Sequence, residues 1–153
     1  MAAPTVPDWG VRTPSAVSDE LGAIAVARLA GQPRHEAMLT AMSWALYEGR
    51  APISGVDLPA TEHNTRVECD GALFVAHCGH APRAEQWTSL GHPNPPRVAA
   101  GDTAEWGYGV WRVLAWLLGD CAAVPPTEDT SRWPRLPQAQ RQEIGSAVAA
   151  RWG

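Results

Sequence analysis

Apolar positions recur along most of the chain at the three-to-four-residue spacing of an α-helix, and only one stretch offers strand signals. The first helix is expected after Thr13 or Ser15, either of which can cap it. Pro14 suits its first turn, and Asp19 and Glu20 sit near its positive end. Val17, Leu21, Ile24, Ala25 and Leu29 share a predicted inner face, and Gly31 ends the pattern. Pro33 opens a second helix at a position where its missing N–H costs nothing. There Met38, Leu39, Met42, Ala45 and Leu46 form the apolar stripe, Gly49 is the stop, and His35, Thr40, Ser43 and Tyr47 are expected outward. So short a link predicts an antiparallel pair.

Residues 61–79 can be read in two ways. Asp70-Gly71 between Arg66–Cys69 and Ala72–Val75 is a hairpin-turn signal. The same residues read as a helix capped by Thr61, with Val67, Phe74 and Cys78 on one face and Gly79 at its end. A lone two-stranded hairpin is marginal and no third strand is evident, so the helix is expected over 66–75. Gly71 is then a weak spot costing about 1 kcal/mol relative to alanine.

Beyond a proline-rich connection, with a short helix predicted near Arg83–Leu90, Asp102 and Glu105 resemble a capping box. From Trp106 to Leu118 only Arg112 is charged, so this helix is expected to be buried on several sides. Gly107-Tyr108-Gly109 lies inside it and lacks the third glycine and preceding strand of a phosphate loop; close helix packing is its expected use. A second proline-rich loop precedes a last helix opened by Pro137, with Ile144, Val148 and Trp152 aligned. The fold class is therefore all-α: a bundle of four to five helices with two long Pro-rich loops. Residues 1–13 form an irregular arm, tacked down by Trp9, and 14–153 a single helical domain.

Composition narrows the chemistry. The 153 residues include 12 basic ones, all arginine. Without lysine there is no P-loop clamp, no Schiff base and no lysine nucleophile. A net charge of −4 and scattered arginines disfavour nucleic acid as a partner. No segment is apolar for long enough to span a bilayer and no secretory signal opens the chain, so a soluble, cytoplasmic protein with reduced thiols is expected.

Two groups of residues could carry function. His77, Cys78 and His80, with Cys69 upstream, are of the types that hold zinc, although the spacing matches no common finger or ribbon. On a bland reading, Cys78 is a small packing residue and the histidines complement the negative end of a helix. No His-Glu-x-x-His, Glu-x-x-His or Gly-x-Ser-x-Gly pattern is present, so no catalytic residue and no cofactor are assigned. The chain also holds 8 tryptophans. Trp44, Trp106, Trp111 and Trp116 suit a core, whereas Trp87, Trp133 and Trp152 lie in loops or near a terminus and are candidates for partner binding.

The expected function is that of a non-enzymatic interaction or accessory protein, a small self-associating helical module with a protein partner or a homo-oligomeric state. One alternative is a small metal- or thiol-dependent enzyme using His77, Cys78 and His80. Another is a helical DNA-binding regulator whose first two helices form a helix-turn-helix.

Overall fold

The protein is seen in a computed structural model that describes residues 6–47, 49–79, 84–89, 104–125 and 138–152, apart from the side chains of residues 30, 84, 86 and 87. Among these residues the fold is all-α. The helices are α1 (Pro14–Ala27), extended by a 3-10 turn (Arg28–Ala30), α2 (Pro33–Tyr47), α3 (Glu62–Cys78), α4 (Ala84–Ser89), α5 (Ala104–Leu118) and α6 (Gln138–Trp152). The principal helix contacts run in series: α1 on α2, α2 on α5, α5 on α3 and α3 on α6.

The centre of this series is α5. Every residue from Gly107 to Leu118 is buried, as a helix apolar nearly all round requires. Its two glycines serve its two neighbours. A Cβ on Gly107 would lie 2.6 Å from the Ala76 nitrogen and 2.7 Å from the Ala72 oxygen of α3. A Cβ on Gly109 would lie 2.5 Å from the Arg34 oxygen of α2. The glycine pair thus lets two backbones approach α5 from different sides.

The ambiguous stretch is helical. Thr61 caps α3 by accepting a hydrogen bond from the Asn64 amide, and Gly79 ends it in the left-handed region at φ 79°. The hairpin signal at Asp70-Gly71 loses because Val67, Ala72, Leu73 and Val75 are all buried on a continuous helix. The isolated bridge between Arg50 and Asp57 is the one β-type pairing among the described residues, within the loop between α2 and α3. Glu68 of α3 holds that loop from below: its Oε1 accepts hydrogen bonds from the amides of Ile53 and Ser54, each at 2.9 Å.

Three expectations are corrected. The inner face of α1 is Val17, Glu20 and Ile24, so Leu21 is only half-buried and Ala25 and Leu29 face outward. Once α2 fixes the rotation of α1, Glu20 is drawn inside and Leu29 is left 80% exposed. At the start of α2, Arg34 and His35 are buried where α5 closes in, not presented outward. Phe74 is half-buried and Cys78 exposed, so the inner face of α3 runs through Val67, Ala72 and Val75 instead.

The segment before α1 is tied to the bundle. Trp9 donates its indole N–H to the Ala60 carbonyl. Arg12 donates to the carbonyls of Trp116 and Cys121 and stacks over the Trp116 ring at 5.1 Å.

Candidate functional site

Among the described residues, Cys69 lies apart from His77 and Cys78. Cys69 is buried, whereas His77 and Cys78 are exposed on the last turn of α3. The nine helical steps from Cys69 to Cys78 correspond to about 13 Å of rise. His77 and Cys78 line a cleft of about 470 Å³ with Arg141 and Ile144, and Cys69 lines a different one. His80 lies outside the described residues. Among the described residues no group of three or more His, Cys, Asp or Glu side chains could hold a metal ion. Of the tryptophans proposed for a partner, Trp152 ends α6 at 43% exposure. The side chain of Trp87 and all of Trp133 lie outside the described residues.

The more developed site was not apparent in the sequence. Between α3, the end of α5 and α6 lies a cleft of about 670 Å³. Leu73, Trp111, Ala147 and Ala150 give it an apolar lining. Two ion pairs form its sides. Arg151 meets Asp70 with both donors, at 2.9 and 2.8 Å, a fork-to-fork geometry. Arg66 meets Asp120 more loosely, at 3.6 Å, and is shared with Glu62 at the same distance.

At the floor of the cleft a partly buried polar network joins α5 to α6. Tyr108 donates to Glu143 at 2.7 Å, and Arg112 reaches both Glu143 oxygens at 3.2 Å and the carbonyls of Ala123 and Val124. Burial, followed by the contact with Glu143, drives the Tyr108 hydroxyl well above the usual phenol range, so it remains a donor. The signal for this network was visible in the sequence as the lone charge of an apolar helix. Its partners, 31 residues away at Glu143 and at the carbonyls after α5, were not.

Two thiols face this cleft, Cys69 and Cys121. Burial pushes Cys69 well above the ordinary thiol range, and Asp70 and Asp120 add to the effect. Burial also raises Cys121, against the lowering influence of Arg112. Neither is an activated thiolate, since activation needs a depressed value. Cys69, Cys78 and Cys121 are free of disulfides.

The other large uncovered feature is the outer side of α1. Gly22, Ala25, Val26 and Leu29 are exposed there, and Val26 and Leu29 are 70% and 80% accessible. Among the described residues, nothing lies within 4 Å of a Cβ placed on Gly22.

Comparison with family models finds no match, and neither does comparison with curated proteins or with solved structures.

Proposed function

We propose that this chain is a small helical association module, non-enzymatic, whose partner is a second copy of itself docked through the outer side of α1. The observation that carries this reading is the exposure of Val26, in the second half of α1, and of Leu29, in the 3-10 turn that extends it. An amphipathic surface helix keeps polar residues outward, and α1 from Gly22 to Ala27 has none to present. Steric fit favours a like partner. In an antiparallel two-fold pairing, Val26 of one copy falls over Gly22 of the other, where a Cβ meets nothing, and the reverse contact follows by symmetry.

Light scattering coupled to size exclusion tests the proposal over roughly 1 to 200 μM, the range in which modest interfaces associate. A concentration-dependent dimer is expected, and Val26→Asp with Leu29→Asp should leave a monomer of unchanged helical content. A strict monomer throughout, or a dimer indifferent to both substitutions, would overturn it.

A further inference from the structure

We propose that Cys69 and Cys121 are a redox pair, which a small-molecule disulfide of the glutathione class oxidises to a bond joining α3 to the turn after α5. Both side chains line the same cleft, Cys69 from the middle of α3 and Cys121 from just beyond the end of α5. The two backbones are tied together next to the thiols. Arg66, one turn before Cys69 on α3, reaches Asp120, the residue before Cys121, at 3.6 Å. The amide of Cys121 donates to the Ala115 carbonyl, which folds the chain back over α5, and its carbonyl accepts from Arg12. After burial and the carboxylates of Asp70 and Asp120, the Cys121 sulfur is the next group to oppose ionisation of Cys69, so the two sulfurs sense one another across the cleft. The third thiol, Cys78, stands several turns further along α3 and lines a different cleft.

Exposure sets the order of events. Cys69 is buried and Cys121 only half-buried, so the oxidant meets Cys121 first. Burial raises the Cys121 thiol, and Arg112 beside it pulls the other way, a help that Cys69 has only from Arg66. The Cys121 thiolate attacks one sulfur of the oxidant, forms a mixed disulfide and releases one thiolate. Cys69, deprotonated in turn, attacks the mixed disulfide at the Cys121 sulfur and releases the second. The protein gives up two protons and two electrons, and the oxidant leaves as two thiols, protonated through solvent. A disulfide is easily reduced when its reduced form is stabilised as a thiolate. Burial denies that stabilisation to both sulfurs, so this bond forms slowly and, once made, resists reduction.

Incubation of the native full chain with oxidised glutathione tests the inference, in a Cys78→Ser background that removes the exposed third thiol. The reaction is run at about pH 8.5, where ordinary thiols begin to ionise. Intact mass should fall by about 2 Da, the two hydrogens lost, and peptide mapping should show Cys69 joined to Cys121. The unfolding temperature should rise by about 5 °C or more and return to its starting value with reductant. Adding Cys69→Ala should stop the reaction at a glutathione adduct on Cys121, whereas adding Cys121→Ala should leave the chain unmodified. No loss of mass in the native protein, a bond that forms only in denaturant or lowers the unfolding temperature, a glutathione adduct that persists on Cys121 while Cys69 is present, or the opposite pattern in the two alanine variants would each overturn the assignment.

Discussion

From Trp106 to Leu118, α5 carries one charge, Arg112; from Leu21 to Ala30, α1 and its 3-10 extension also carry one, Arg28. The two stretches are close in character, yet one is enclosed and the other is half bare. α5 has α2 on one side and α3 on another, and its single charge is taken up by Glu143, Tyr108 and two carbonyls. Among the described residues, α1 has α2 as its main helical neighbour, and Arg28 pairs with Glu36 at 4.0 Å. Hydrophobicity around a whole helix states a demand for neighbours. The described residues meet that demand for α5 and leave it unmet for α1.

The largest effect is expected from removing the close approach that encloses α5. Gly109→Ala places a methyl 2.5 Å from a backbone oxygen of α2, and Gly107→Ala places one 2.6 Å from a backbone nitrogen of α3. Neither neighbour is a side-chain tip that can swing aside. Each substitution should cost about 3 kcal/mol, the upper part of the range for overpacking, in chemical denaturation. A loss under about 0.5 kcal/mol, the level of an ordinary surface change, would show that the helices can slide apart freely.

A smaller effect is expected from Glu68, beneath the loop between α2 and α3. Burial raises its carboxyl above the ordinary 4.5, in spite of the two amides that donate to it. The folded state then holds this proton more tightly than the unfolded chain does. The stabilisation is complete below the ordinary value and is lost as pH rises through the raised native one. Unfolding free energies measured from pH 4 to 8 should therefore fall with rising pH in the parent protein more steeply than in Glu68→Gln, which cannot ionise. Parallel curves would remove Glu68 as the cause. Glu20, also raised by burial, contributes in the same direction and is controlled with Glu20→Gln.

The smallest effect on the fold belongs to the bare side of α1. Leu29→Gln should change the stability of the isolated monomer by less than about 0.5 kcal/mol, as an exposed position with few contacts implies. A loss of several times that at dilution, where no dimer forms, would mean that Leu29 is covered in solution by another part of the same chain.

Much of the architecture was legible because it is written in local chemistry. Thr13 and Thr61 cap the helices they precede, Gly31 and Gly79 adopt the left-handed conformation where a chain must turn, and the spacing of Met38, Met42 and Leu46 marks a buried stripe. The Gly107–Gly109 pair pointed to close packing for a physical reason, the absence of a side chain. What escaped is non-local. Nothing adjacent in sequence to Leu29 tells whether a second helix will cover it. Glu68 looks like a solvated residue of a polar helix until the loop at Ile53 and Ser54 closes over it. The candidate cleft depends on Asp70 and Arg151, 81 residues apart, so no spacing rule could join them. Cys69 and Cys78 failed to converge because a continuous helix holds them on different turns, which the hairpin alternative would not have required.

The clasp of Arg12 on the end of α5 has a kinetic side. It spans 104 residues to the Trp116 carbonyl and 109 to that of Cys121. During synthesis the last turn of the central helix goes without this cap until residue 121 has emerged, and in refolding the clasp must wait for one of the longest chain closures in the molecule. Arg12 thus acts late, slowing the escape from the native state more than it speeds arrival there.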